Sequence, residues 1–103
     1  MAQEKHIALG VMQIAASQAS GICSFRRAYN EIPNYVKLST TNSAPSQTRP
    51  GEVMWQQIVR NIKSHDKASG NFISDGYLVH VPKTGYAITP SGRRYLKAKG
   101  LHP

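Results

Sequence analysis

The sequence VHVPKTGYAITPSGRR, residues 79–94, decides the fold. Its first part is rich in residues that favour strands, and the letters PKTG form a good turn, so residues 78–88 are predicted to form a β-hairpin. Thr89 is a natural N-cap and Pro90 suits the first position of a helix. A last helix is therefore predicted over residues 90–99, directly after a hairpin with a basic tip.

A helix with two complete faces precedes this hairpin. Its apolar face carries Trp55, Ile58, Val59 and Ile62. Its polar face carries Gln57, Arg60, Asn61 and Ser64. Because both sets recur at i, i+3, i+4 and i+7, they predict a helix over residues 52–66, with the carboxylate of Glu52 at its positive end. A helix followed by a basic-tipped two-stranded wing is the core of a winged helix-turn-helix domain.

The first half of the chain supplies the remaining elements. Apolar residues at helical spacing predict a first helix over residues 4–18, and residues 22–23 are predicted to form a brief edge strand. Ser24 is predicted to cap a second helix, which Pro33 should end or kink. Residues 39–51 lack apolar periodicity and are predicted to form a flexible loop. The helices of the core are thus separated by a strand and a loop.

These elements predict an α+β fold with a single winged-helix domain over residues 1–103. The expected architecture is a three-helix core, a two- to three-stranded antiparallel wing and a C-terminal helix. A chain of 103 residues has room for one hydrophobic core and leaves little for a second.

The composition is strongly basic. Thirteen Lys and Arg residues face five Asp and Glu residues, which gives a formal charge of +8 and a pI near 10.0. Such an excess attracts polyanions, either nucleic acid or an anionic membrane surface. No apolar run approaches the length of a membrane span, and the single cysteine, Cys23, suits a reducing compartment. We expect a cytoplasmic protein that does not bind membranes.

The polar face of the 52–66 helix suits double-stranded DNA. Asn and Gln side chains pair with adenine edges and Arg with guanine, so Gln57, Arg60, Asn61 and Ser64 are predicted to enter the major groove. The other predicted contacts, to phosphates, sugars or the minor groove, are Arg49, Gln56, Lys63, Lys83, Thr84, Arg93 and Arg94. A helix face kept soluble by its charges would look the same from sequence alone. The order of helix and wing favours the DNA-binding interpretation.

The chain is poor in catalytic patterns. Its five acids are Glu4, Glu31, Glu52, Asp66 and Asp75, none of them paired at a spacing typical of metal-dependent nucleases or glycosidases. The four histidines are scattered, and one cysteine cannot complete a zinc site. No Gly-x-Ser-x-Gly elbow and no phosphate-binding Gly loop is present. We predict no enzyme activity, no cofactor and no metal.

Residues from about 20 to 96 resemble the N-terminal winged-helix domain of Mrr-type restriction endonucleases. The resemblance lies in these segments: residues 24–28, the Arg-Pro-Gly at 49–51, Trp55 with Val59-Arg60-Asn61, Gly-Tyr-Leu at 76–78, and residues 85–93. It implies a DNA-recognition domain without the Asp…Glu-x-Lys motif of the nuclease. The chain departs from the family pattern at residues 66–76, where extra residues precede the wing.

Two functions from different classes follow. The first is a double-stranded DNA-binding protein, either a transcription regulator or an accessory of a restriction-like system. The alternative is a protein-interaction module on a winged-helix scaffold, with an exposed apolar patch of Tyr35, Trp55, Phe72 and Tyr77. Whether the chain forms a homodimer or binds a protein partner stays open.

Overall fold

The computed structural model describes residues 4–38, 43–44, 51–65, 67 and 70–102 of the chain. Within these ranges the chain forms four α-helices, one short 3₁₀ helix and a three-stranded antiparallel sheet, so the predicted α+β class is confirmed. Most of the predicted loop 39–51 lies outside the described residues. In chain order the elements are α1 (Glu4–Ser17), β1 (Ile22–Ser24), α2 (Phe25–Tyr35), α3 (Met54–Asn61), the 3₁₀ helix (Lys63–His65), β2 (Leu78–Val81), β3 (Gly85–Ile88) and α4 (Pro90–Ala98).

Helix α1 lies at the centre of the core and contacts the sheet and all three other α-helices. The predicted helix is confirmed, although it ends at Ser17, one residue before the predicted end, and Ile7, Val11 and Ile14 on one stripe are fully buried. Gly10 lets α2 approach closely, because a Cβ at this position would lie 2.8 Å from Cγ2 of Val36. None of the helices in the described ranges is long and apolar enough to cross a membrane.

Strand β3 is the central strand of the sheet, with β1 on one side and β2 on the other. Both pairings are antiparallel, so Tyr86 of β3 stands between Cys23 of β1 and His80 of β2. The predicted hairpin and the predicted edge strand are therefore confirmed. Only glycine fits at the start of β3, because a Cβ on Gly85 would collide with the carbonyl oxygen of Cys23.

Helix α2 begins as predicted and ends later than predicted. The hydroxyl of Ser24 accepts the N–H of Arg27 at 3.0 Å, which confirms the N-cap. Of the two predicted effects of Pro33, an end of the helix is wrong, since the helix continues to Tyr35. Pro33 lies in the last turn, where its missing N–H removes only one hydrogen bond. The last turn is retained because Ile32 is fully buried and its carbonyl accepts the N–H of Val36 at 2.9 Å.

Helix α3 is shorter at both ends than the predicted 52–66 helix. It begins at Met54, because the side-chain oxygen of Gln56 accepts the N–H of Val53 at 3.1 Å and caps the first turn there. Glu52 therefore precedes the helix and does not lie in its first turn. At the other end α3 stops at Asn61, and the chain tightens into the 3₁₀ helix. The cause of this early end is a side chain from β3, described below.

Helix α4 closes the core from the C-terminal side. Its predicted N-cap is confirmed, since the Thr89 hydroxyl accepts the N–H of Gly92 at 3.0 Å. Leu96 of α4 is fully buried, and Trp55 and Phe72 are also part of the core. Burial of each such large apolar side chain stabilises the fold by about 1.5–3 kcal/mol.

Candidate nucleic-acid interface

The face of α3 opposite the core carries fewer polar residues than the sequence predicts. Trp55, Val59 and Ile62 are buried as expected, and Gln57 and Asn61 are half-exposed on the other side. Ser64 was expected to continue this polar face but lies in the 3₁₀ helix, where it is exposed. The predicted set of four is therefore divided between two elements, because α3 ends before the fourth member.

Arg60 is on the predicted side of α3, but its side chain packs against the protein. Its Nε donates to a carboxylate oxygen of Glu52 at 3.1 Å, and its guanidinium carbon lies 5.7 Å from the centre of the Phe25 ring. The Tyr29 ring stands at a similar distance of 5.9 Å. The Arg60 side chain is 30% exposed. Arg60 is thus held in a fixed position by an ion pair and two rings.

Tyr86 ends α3 by entering its hydrogen-bond ladder. In a continuing α-helix the N–H of Lys63 would donate to the carbonyl of Val59. Here the Tyr86 hydroxyl lies between them, donating to the Val59 carbonyl at 2.6 Å and accepting the Lys63 N–H at 3.2 Å. A side chain inserted in this way breaks the regular ladder. The Lys63 side chain lies against α2, with its Nζ 5.2 Å from the centre of the Phe25 ring.

The turn at residues 82–84, which joins β2 and β3, lies against the start of α2. The carbonyl oxygen of Thr84 accepts the N–H of Phe25 at 2.9 Å, and Ser24 pairs with Gly85 in the sheet. The side chains of Lys83 and Thr84 are exposed, as predicted. Lys83 has a φ of 62°, which a lysine rarely adopts. The fold thus presents Lys83 at the outermost point of the hairpin.

Besides Arg60, three cations are linked to Phe25 and form what we call the turn-side surface: Arg26 next to it in the chain, Lys63 over its ring, and Lys83 in the turn that accepts its N–H. Arg26 follows Phe25 directly and is exposed, and none of the three forms an ion pair with a carboxylate among the described residues. A shallow cavity of about 180 Å³ beside it is lined by residues of α2 and its cap, Ser24, Arg26, Arg27, Asn30 and Glu31. Arg26 was not among the predicted site residues. The sequence feature that could have indicated its position is the Ser24 cap, which places Arg26 in the first turn of α2.

The other predicted contacts are not part of the turn-side surface. Gln56 caps α3 through its side chain. Arg93 lies at the far end of the sheet, next to Gly21: a Cβ added to this glycine would be 3.3 Å from the Arg93 Nη2. Arg94 donates to the Ser91 hydroxyl at 2.9 Å. Arg49 lies outside the described residues. The structure therefore brings together Lys63, Lys83 and Thr84 but leaves Arg93 and Arg94 elsewhere.

The predicted apolar interaction patch does not assemble. Trp55 and Phe72 are buried in the core, Tyr77 is half-buried against Tyr95, and Tyr35 at the end of α2 is 41% exposed. Phe72 is buried although residues 70–76 are irregular and carry no periodicity that could indicate burial. Phe72 packs edge-on against Tyr77, with ring centres 5.7 Å apart.

Comparisons with models of protein families, with curated proteins and with solved structures found no match for this chain. The chemistry of the candidate interface is that of cations and amides on a surface formed by two helices and a turn, in a chain of charge +8. Such groups bind phosphate oxygens and base edges.

Proposed function

We propose that this chain is a winged-helix protein that binds double-stranded DNA. The order of its elements supports the proposal: a helix, an edge strand, two helices, a hairpin and a last helix, with the hairpin strand β3 at the centre of the sheet. In this interpretation α2 and α3 are the helix-turn-helix pair, and residues 82–84 are the tip of the wing. The strong positive charge favours a polyanion as the partner.

The observation that carries the proposal is the meeting of three segments at one residue, Phe25: the 3₁₀ helix that follows α3, the start of α2 and the turn. The Lys63 ammonium lies 5.2 Å from the centre of the Phe25 ring, and the Phe25 N–H donates to Thr84 at 2.9 Å. The end of the proposed recognition helix and the tip of the proposed wing are therefore tied to the same residue. Cations on both sides of it, Lys63 and Lys83, would neutralise phosphates of one duplex.

The exposed side of α3 would supply base contacts. Gln57 and Asn61 are half-exposed amides, the side-chain type that pairs bidentately with adenine. The Nη groups of Arg60 would bind guanine or phosphate. In the described contacts, the hydrogen bond from Arg60 to Glu52 is made by Nε. Ser64, Thr84 and Gln56 would add contacts at the rim. Arg49 stays a predicted phosphate contact.

A role beside a restriction-like system or in transcription regulation belongs to the same proposal. This role is suggested by the resemblance to the N-terminal domain of Mrr-type endonucleases, which implies that the chain recognises DNA and does not cleave it. Enzyme activity is not proposed. Binding to duplex DNA is the property that both roles share, so it is the property to test first.

The test is a titration of labelled duplex DNA by fluorescence anisotropy at several salt concentrations. We expect binding at about 50 mM salt, with log K falling linearly as log salt rises. The variant Lys63→Ala/Lys83→Ala should bind more weakly and reduce the salt slope by about two, since each lost phosphate contact lowers it by about one. The control variant Lys37→Ala removes an exposed lysine two residues beyond the end of α2, at the opposite end from Phe25, and should keep the slope. Absence of binding at low salt, or equal slopes for both variants, would reject the proposal.

A protein-interaction module is the second candidate, and one observation favours it. Ile22, Ala87 and Val79 are directly opposite one another across the three strands, so they form an apolar row on one face of the sheet. Val79 in this row is 48% exposed. A Val79→Asp variant that loses a protein partner yet keeps duplex affinity would support this candidate.

A further inference from the structure

The guanidinium of Arg60 is held in place before any ligand binds. Its Nε donates to the Glu52 carboxylate at 3.1 Å, and its central carbon lies 5.7 Å from the Phe25 ring centre and 5.9 Å from that of Tyr29. The Tyr29 ring is supported in turn by the buried Trp55, which meets it edge-on with ring centres 6.2 Å apart. A group fixed in this way loses little freedom on binding, which favours recognition of one geometry.

Both Nη groups of Arg60 are open to the solvent. Neither forms a hydrogen bond with any of the described residues, since the Arg60 side chain makes its polar contact through Nε. A few side-chain atoms in the described ranges are buried without a partner, but the Nη atoms of Arg60 are not among them. Because the guanidinium is planar, the two groups offer a pair of donors in one plane.

The Glu52 carboxylate favours a neutral ligand for this pair of donors. The Glu52 side chain is 12% exposed, so its charge lies beside that of Arg60 and is little screened by water. Together the two side chains carry no net charge. A phosphate on Arg60 would therefore also be repelled by Glu52, whereas Lys63 and Lys83 form no ion pair with a described carboxylate and bind phosphate without this opposition.

The fold gains little from the Glu52 carboxylate itself. One of its oxygens, Oε1, is buried and has no hydrogen-bond partner among the described residues. A buried acceptor without a partner destabilises a folded protein, which offsets the attraction between the two charges. The position that Glu52 gives to Arg60 accounts for the carboxylate better than the stability of the fold does.

Guanine is the base whose edge matches a fixed pair of donors. In the major groove it presents two neighbouring acceptors, O6 and N7. Adenine presents N7 beside an amino donor, thymine presents the single acceptor O4, and cytosine presents an amino donor. Arg60 also lies between Gln57 and Asn61 in the sequence of α3, the helix proposed to enter the groove.

We infer that Arg60 reads guanine in duplex DNA and that Glu52 is the positioning residue that makes this reading specific. The inference rests on the proposed DNA binding and names the base that the site recognises. Without Glu52, Arg60 would regain its full charge and its mobility and would bind phosphates at any sequence.

The experiment compares two short duplexes of the same mixed sequence. In the second duplex 7-deazaguanine replaces every guanine, which removes the N7 acceptor and keeps the base pairing and the phosphates. Fluorescence anisotropy with the full chain should detect about fivefold weaker binding to the second duplex, because the bidentate contact is broken. The ratio of the two affinities is the readout, since loss of a phosphate contact weakens binding to both duplexes equally.

Two variants and their charge-matched controls assign the ratio to its residues. Arg60→Gln should bind both duplexes nearly equally, whereas Lys63→Gln should weaken both and keep the fivefold ratio. Glu52→Gln should bind both more tightly and reduce the ratio to about twofold, because the released Arg60 binds phosphates. Asp75→Asn makes the same charge change at an exposed position and should keep the ratio of the wild type.

Equal binding of both duplexes by the wild type would overturn the inference and leave the proposed DNA binding intact. This comparison needs no variant, so it holds even if a substituted chain fails to fold. A full ratio in Arg60→Gln would assign the guanine contact to another residue, and a full ratio in Glu52→Gln would show that Glu52 does not position Arg60. Either result overturns the inference. If neither duplex binds, the proposed function fails as well.

Discussion

Tyr86 donates its hydroxyl proton to the backbone carbonyl of Val59, at 2.6 Å. Since the same hydroxyl accepts the N–H of Lys63, it replaces one rung of the α3 ladder and fixes β3 to the end of that helix. Tyr86 is 1% exposed, and burial raises the pKa of its phenol above the ordinary value. It stays protonated and keeps donating, so the hairpin and α3 behave as one unit.

Removal of this hydroxyl should destabilise the fold. In a Tyr86→Phe variant, the Val59 carbonyl and the Lys63 N–H lose their buried partner, which costs about 1–3 kcal/mol of the free energy of unfolding. Urea denaturation followed by circular dichroism measures this change. Tyr35→Phe, at an exposed position, should stay within about 0.5 kcal/mol of the wild type. Equal stability of the two variants would contradict the role given to Tyr86.

The same hydroxyl explains what the sequence could and could not predict. Periodicity and capping residues located α1, the hairpin and the start of α4, because those signals are local. The end of α3 depends on Tyr86, which follows Val59 by 27 residues. No local pattern contains such a contact, so the predicted helix ran on to residue 66.

A second prediction concerns the close approach of β1 and β3. A methyl group at position 85 would meet the Cys23 carbonyl, so Gly85→Ala should separate the two strands and destabilise the fold by about 3 kcal/mol. Gly100→Ala is the control, because no atom lies within 4 Å of its added Cβ. Its left-handed backbone alone should cost about 1–2 kcal/mol. Thermal or urea unfolding compares the two, and a smaller loss for Gly85→Ala would reject the close contact.

Stability should decrease at alkaline pH. Burial raises the pKa of the Cys23 thiol from its ordinary value of 9.0 to about 12. The unfolded chain therefore loses this proton first as the pH rises. The stability from keeping the thiol neutral is fully present below pH 9 and is lost as the pH rises toward 12. Burial also raises the pKa of the Tyr86 phenol, so this group adds to the loss of stability once the pH exceeds its ordinary pKa of 10.0.

The measurement is the free energy of unfolding at pH 7, 9 and 10.5 in urea. One such group changes it by up to about 1.4 kcal/mol per pH unit. A Cys23→Ala variant starts from lower stability, since it leaves a small cavity, but should have a flatter decline just above pH 9. The same decline in wild type and variant would show that Cys23 does not titrate as described.

Glu52 should restrain duplex binding through Arg60. Its carboxylate holds the Arg60 Nε at 3.1 Å and partly cancels its charge. Glu52→Gln should therefore raise the affinity for duplex DNA by about threefold, of which part is the general gain from one less negative charge. Asp75→Asn makes the same charge change at an exposed position and measures that general part. If the two variants gain equally, Arg60 is not restrained by Glu52.

The candidate site was predictable only in part. The exposure of Lys83 and Thr84 could be predicted from the hairpin. Lys63 could be predicted because it closely follows the polar face of α3 in the sequence. The packing of Arg60 on Phe25 was not predictable, because it joins residues of two helices separated by a long connection. The Ser24 cap places Arg26 in the first turn of α2, but its position beside the turn depends on the bond between Phe25 and Thr84, a contact between distant segments.

The most direct test of duplex recognition by α3 and the wing is NMR shift mapping with the ¹⁵N-labelled chain and a random duplex. The proposal predicts that the backbone amides of Asn61, Lys63, Lys83 and Thr84 shift together along one titration curve. The amides of Asn34 and Lys37, at the opposite end of α2 from Phe25, should stay in place. Duplex-induced shifts that leave α3 and residues 82–84 unmoved, or no shifts at all, would contradict it.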